Sequence, residues 1–199
     1  TGITKLRRAM EGTIEAMALT LEMRDPYTAG HQRRVSRLAT AIGRELEMPE
    51  DRIDGLRLAA SVHDLGKIQV PSEILSRPGR LTEAEFNLVK VHPVVGYHVL
   101  RTVDFPWPVA DIVLQHHERL DGSGYPEGLK DASILPEARV LAVADVVEAV
   151  GSHRPYRPAH TIDDALAEIL SNRGVLYDSD AVDACVRLFR LGRFGVDGW

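Results

Sequence analysis

A chain of 199 residues, 44% hydrophobic and 27% charged, has the apolar content of one folded domain, and none of its apolar runs approaches the ~20 residues of a membrane span. Its formal charge of −5 argues against a general surface for nucleic-acid polymers, so an anionic ligand has to be attracted locally, by metal ions or a few placed cations. The single cysteine, Cys185, excludes an internal disulfide framework and permits a reducing compartment.

In chain order the pattern is helix after helix. Leu6, Met10, Ile14, Met17 and Leu21 recur three or four apart, which predicts an amphipathic helix. Residues 1–24 thus read as a helix or linker packed on a domain of residues 25–199, and Thr1 reads as a cut from a longer chain. After Gly30 a second helix carries His31, Val35, Leu38, Ala39, Ile42 and Leu46. A third, from about Pro49 to His63, turns Ile53, Leu56, Leu58, Ala59 and Val62 inward and stops at Gly66.

Residues 69–81 form a connection with Pro and Gly, holding at most a short turn at Ser72 to Leu75. Thr82 with Glu85 is a capping box that opens a helix through Phe86, Val89 and His92, which Pro93 kinks or breaks before Val95, Val99 and Leu100. Another helix leads from Pro108 to His117, and the loop through Pro126 and Leu129 allows at most a small hairpin. Glu137 to Val150 is almost all apolar and reads as a buried helix; Ile162 to Leu170 and Ala181 to Leu191 finish an all-α fold. Cys185, among Val182, Val186 and Phe189, reads as a core thiol.

Chemistry-bearing residues gather at the helix ends. His116 and His117 close an apolar run just before Gly122, Gly124 and Pro126, where the backbone turns sharply. His63 and Asp64 end a helix, with Lys67 three residues on and Gly66 allowing close backbone approach to a ligand. Taken singly, these read more readily as surface pairs or a helix cap than as metal ligands, His92 is ambiguous, and His98 reads as a bystander. Asp145 inside Val140 to Val147 is different, because a buried carboxylate has to be paired, hydrogen-bonded or metal-bound. A structural salt bridge satisfies it too. Mixed imidazole and carboxylate ligands suit iron, manganese, zinc or nickel better than calcium, and without clustered cysteines a structural zinc or iron–sulfur site is disfavoured.

The ordered combination of Asp25-Pro-Tyr-Thr-Ala-Gly-His31, His63-Asp-Leu-Gly-Lys67, His92-Pro93, His116-His-Glu-Arg-Leu-Asp-Gly-Ser-Gly-Tyr-Pro126, Asp145 and Arg154-Pro-Tyr-Arg157 resembles the HD-GYP domains of the HD phosphohydrolase superfamily. The resemblance implies an HD-type bundle of about seven to nine helices and hydrolysis of cyclic di-GMP to pGpG, and on to GMP, at a cluster of divalent iron or manganese. Carried over by position, one metal takes His31, His63, Asp64 and Asp145, the other His92, His116 and His117, and Asp64 bridges them. A water activated between the metals is the implied nucleophile. Lys67, Arg154 and Arg157 fall at substrate-contacting positions, where a guanidinium fork binds phosphate or guanine.

Some members place a glutamate four residues before the first ligand histidine, for a third metal. Here that position is Tyr27, so two metals are expected. Gly124, Tyr125 and Pro126 correspond to a loop associated with contacts to GGDEF-domain proteins. The implied setting is the output domain of a larger cytoplasmic bacterial signalling protein, downstream of a sensory or receiver domain. A cyclic-dinucleotide-binding or recruiting module with little turnover, another HD-type nucleotide phosphohydrolase, and cyclic GMP-AMP as substrate remain alternatives.

Overall fold

The computed structural model describes residues 2–24, 29–77, 79–151 and 161–195. Among them are nine helices of seven residues or more: α1 (Gly2–Glu22), α2 (His31–Glu45), α3 (Glu50–Val62), α5 (Glu83–Val89), α6 (His92–Leu100), α7 (Val109–Gln115), α8 (Pro136–Gly151), α9 (Ile162–Ser171) and α10 (Ser179–Arg190). The single turn α4 (Ser72–Leu75) and two 3-10 segments, Leu65–Gln69 and Asp131–Ser133, complete the described set, which holds no strand. The fold is all-helical, as the periodicity predicts. No described helix is long and apolar enough to cross a membrane.

The core forms where α2, α3 and α8 pack together, closed by α7 on one side and by α9 and α10 on the other. Leu38 and Ile42 of α2, Leu56 of α3, Ile112 of α7, Leu141 of α8 and Ile169 of α9 are fully buried, each stabilising the fold by roughly 1.5–3 kcal/mol. α8 is central because its apolar residues face several directions, with Val140, Leu141, Val143, Ala144 and Val147 all buried. Cys185 lies in this core, and burial pushes its thiol up to about 12.

α1 contributes less than its apolar stripe predicts. Ala18 is buried and Ile14 and Leu21 pack against the core, but Met17 and Leu19 face outward. The side chains of Leu6 and Met10 lie outside the described set. The end of α1 has a separate task, since the Glu22 carboxylate accepts from the backbone N–H of Gly30 at 2.8 Å and of Gln32 at 3.3 Å. It satisfies donors that a helix start leaves unpaired and fixes where α2, and with it His31, begins.

Two boundaries differ from the sequence reading. The helix opened by the Thr82–Glu85 capping box ends at Val89, and His92 starts α6 with Pro93 in its first turn. Proline starts this helix because an N–H there would have no intrahelical partner anyway. The third helix ends at Val62, before Gly66, and the chain continues as the 3-10 segment Leu65–Gln69, which packs on α6. A Cβ on Gly66 would lie 1.9 Å from the His92 carbonyl oxygen and 2.7 Å from the Gly96 nitrogen. Gly66 therefore serves the approach of two backbones, not the approach to a ligand.

No hairpin forms after His117; this loop holds only an isolated antiparallel bridge between Asp121 and Lys130. Instead the buried Glu118 carboxylate gathers the loop, accepting from the backbone N–H of Glu127 (2.7 Å), Gly128 (3.2 Å) and Leu129 (3.0 Å). The Tyr125–Pro126 peptide is cis. A Cβ on Gly124 would lie 2.4 Å from the Arg119 nitrogen, so this turn closes only with glycine.

Candidate metal centre

Seven residues singled out in the sequence come together from five helices and their ends: His31, His63, Asp64, His92, His116, His117 and Asp145. The ligating atoms of His31, His63 and Asp64 lie within 4.8 Å of one another, as do those of His92, His116 and His117, and a third group of His63, His116 and Asp145 joins the two. Asp64 spans both halves. Its Oδ2 is 3.7 Å from Nε2 of His31 and of His63, and its Oδ1 is 3.5 Å from Nε2 of His92. Asp145 Oδ1 lies 3.3 Å from His31 Nε2 and 3.7 Å from His63 Nε2. Lys67, one helical step from Asp64, places its Nζ 2.7 Å from Asp64 Oδ2.

The helix ends aim the imidazoles. His63 Nδ1 donates to Ala60 O (2.8 Å), His92 Nδ1 to Val89 O (2.8 Å) and His116 Nδ1 to Val113 O (2.6 Å), each three residues back. The residue that would normally serve the Val89 carbonyl in a continuing helix is Pro93, which has no N–H, so the His92 ring takes that place. Carbonyl oxygens only accept. In all three rings Nδ1 therefore carries the hydrogen, and Nε2 turns its lone pair into the site.

That arrangement tests whether a cation fits. Nε2 of His92 and Nε2 of His116 face each other at 3.3 Å. Burial, offset for His92 in part by Asp64, lowers its pKa to about 4, and burial with the neighbouring His63 and His92 lowers that of His116 to about 3. At neutral pH neither ring has a second hydrogen to share, so the two lone pairs and the Asp64 carboxylate converge as donors on one region. A divalent transition metal is the partner this donor set fits. His117 is held below the ordinary histidine range by burial and by His116, and its ring stacks on Tyr125 at 4.7 Å.

The His31 half behaves differently. Burial opposes charge on His31, but hydrogen bonds to Asp145 and Glu148 outweigh it and push the pKa up to about 10. Asp64 and Asp145 are both held well below the usual carboxylate range: burial works against this, while Lys67 and His63 favour ionised Asp64, and His31 and His63 favour ionised Asp145.

Three residues were missed. Glu148, 1% exposed, accepts from His31 Nδ1–H and is held in turn by Arg34, whose Nε lies 2.7 Å from Glu148 Oε1. The sequence signal was present, because Glu148 is a second acid in the apolar helix of Asp145, three residues on and on the same face. Glu118 sat inside the quoted motif without a role. His98 is exposed on α6, away from the cluster, as expected. Arg154 and Arg157, Tyr27 and Asp25 lie outside the described residues.

The chain is 44% identical over 177 residues to the "Cyclic di-GMP phosphodiesterase response regulator RpfG" of Xanthomonas campestris, a match covering 88% of this chain and 47% of that protein. It is 40% identical, also over 177 residues, to a "Cyclic di-GMP phosphodiesterase" of Thermotoga maritima, covering 88% and 48%. The chain thus spans about half the length of these relatives. A solved cyclic GMP-AMP specific phosphodiesterase of Vibrio cholerae shares the fold, with a TM-score of 0.69 at 20% identity over 90% of this chain and 49% of that one. The sequence profile of the HD domain matches residues 15–181, from within α1 to the start of α10, and so takes in all seven clustered side chains: the chain belongs to the HD domain family.

Proposed function

We propose that the chain is an HD-GYP catalytic domain that hydrolyses a 3'–5' phosphodiester of cyclic di-GMP, giving pGpG and then GMP. The observation that carries this reading is the pair of neutral imidazoles, His92 and His116, whose Nε2 atoms face each other beside Asp64. Such a set suits a cation, and the Xanthomonas campestris and Thermotoga maritima relatives, at 44% and 40% identity, are both named for cyclic di-GMP phosphodiesterase activity.

In this reading His31, His63, Asp64 and Asp145 hold one divalent ion and His92, His116 and His117 the other, with Asp64 shared. Iron or manganese suits the nitrogen and carboxylate mixture. When bound, such a pair of ions makes water acidic enough to ionise near neutral pH and offsets charge on the phosphodiester oxygens. The chain's own groups do the rest. Asp64 fixes the two halves relative to each other, and Lys67, already against its Oδ2, offers an ammonium to a phosphate oxygen on the same side. Arg154 and Arg157 would orient the dinucleotide with their planar forks. With Tyr27 in place of a carboxylate, two ions are expected and not three.

Residues 25–199 make up this catalytic domain, with α1 as a helix that links it to an upstream sensory or receiver domain in a cytoplasmic bacterial signalling protein. Gly124, Tyr125 and Pro126 offer a loop for a GGDEF-domain partner. The test is product analysis of cyclic di-GMP, cyclic GMP-AMP and mononucleotides incubated with protein loaded anaerobically with iron or manganese. Consumption of cyclic di-GMP with pGpG appearing supports the proposal. Two bound ions with no turnover would instead favour a recruiting module, and turnover of cyclic GMP-AMP or of mononucleotides alone would reassign the substrate.

A further inference from the structure

We propose that Arg34 and Glu148 act as positioning residues on His31 and make the two ion positions unequal, so that the one built from His31, His63, Asp64 and Asp145 takes up its divalent cation first and holds it more tightly. This rests on the metal-centre reading above and deepens it.

The asymmetry is visible in what each imidazole does with its inner nitrogen. His63, His92 and His116 give Nδ1–H to main-chain carbonyls. His31 is the first residue of α2 and gives Nδ1–H to Glu148 Oε2, a carboxylate oxygen on α8. The other oxygen of Glu148 accepts from Arg34 Nε at 2.7 Å, and Arg34 Nη2 is also 2.7 Å away. Arg34 lies three residues after His31 on the same helix, so ring, acid and guanidinium form a closed clamp between α2 and α8.

An ionised carboxylate draws on the Nδ1 hydrogen more strongly than a neutral carbonyl does. Nε2 of His31 is thereby the more electron-rich donor, and its tautomer is fixed. Arg34 engages Glu148 from the other end, which keeps that carboxyl turned toward the ring. Glu148 therefore works through His31, as an orienting group behind the ligand.

Charge adds in the same direction. The His31 position faces two carboxylates, with Asp145 Oδ1 3.3 Å and Asp64 Oδ2 3.7 Å from His31 Nε2. The His92, His116 and His117 position has Asp64, whose Oδ1 is 3.5 Å from His92 Nε2, and meets Asp145 only through His116, whose ligating nitrogen lies within 4.8 Å of that carboxylate. Hard divalent ions bind more strongly where anionic oxygen is denser.

The experiment titrates ion-free protein with Mn2+ by calorimetry and with Co2+ by visible absorption, for the parent and for Glu148→Gln, Arg34→Lys and His117→Ala. Glu148→Gln keeps the size and an acceptor oxygen but removes the charge. The parent should bind two equivalents with separable constants. Glu148→Gln should weaken the tighter constant by ~10–100-fold and leave the weaker one unchanged. Arg34→Lys should shift the same constant by less, and His117→Ala should weaken only the other. Circular dichroism identifies any variant that does not fold, and Arg34→Lys then carries the comparison.

Equal weakening of both constants by Glu148→Gln, or no change in either, would overturn the inference. So would a tighter constant that follows His117→Ala. A parent protein that binds fewer than two ions overturns the metal-centre reading itself, which is a different result.

Discussion

The two halves of the cluster solve one problem, holding an imidazole still, by opposite means. Around His92 and His116 the helix ends do it: the rings are clamped by carbonyls of their own chain segments, and burial keeps them uncharged. Around His31 side chains do it: Glu148 and Arg34 reach across from α8 and α2, and Asp145 adds charge. A backbone clamp is insensitive to substitution elsewhere, whereas a side-chain clamp can be adjusted one residue at a time. The His92 half is thus a fixed template and the His31 half the adjustable one.

The largest effect is expected where the halves meet. Asp64→Asn removes a charge that faces both, with one oxygen on His31 and His63 and the other on His92, and it takes away the anion 2.7 Å from Lys67 Nζ. Turnover should fall by at least ~100-fold, and both ion-binding constants should weaken, unlike the single constant expected of Glu148→Gln. Near-parental turnover with two ions bound would show that the halves do not depend on Asp64.

Gly66→Ala attacks the junction through the backbone. A methyl group 1.9 Å from the His92 carbonyl oxygen has to push the 3-10 segment off α6. Overpacking of this kind costs roughly 1–3 kcal/mol, and the melting temperature should drop by roughly 2–12 °C. An unchanged transition in scanning calorimetry would mean that the template half yields easily at this junction.

A smaller change should follow Glu118→Gln, which trades one acceptor oxygen for an amide donor in front of the Glu127, Gly128 and Leu129 N–H groups. The loss of about 1 kcal/mol should lower the melting temperature by roughly 2–4 °C. Hydrogen exchange should quicken at those amides while the His31 half keeps its ion affinity. Exchange that quickens equally at α2 would erase the distinction between the halves.

The ligands were legible in the sequence because histidines at helix ends and a carboxylate inside an apolar helix are both unusual and local. Asp145 stood out against Val143, Ala144, Val146 and Val147, and its three-residue spacing to Glu148 could have found that acid by the same logic. Glu148 escaped because it sits near the end of α8, where an acid reads as solvent-facing. Arg34 had no signal at all, since arginines on a helix of mixed polarity are ordinarily exposed. The break before His92 was misjudged for a related reason. Pro93 looked like an interruption, but a proline in a first turn is a beginning, and only the packing of α6 against the 3-10 segment decides which. Gly66 was read as room for a ligand because close backbone contact between distant segments leaves no periodic trace.

The carbonyl clamps on His63, His92 and His116 carry one more consequence. A histidine side chain that rotates freely has to give up that freedom when it is captured by an ion, and this lost entropy subtracts from affinity. Here three rings are already frozen in the ligating orientation once the helices that aim them have formed. The ordering penalty falls on folding and not on capture, so ion uptake at this cluster proceeds with little rearrangement of the chain.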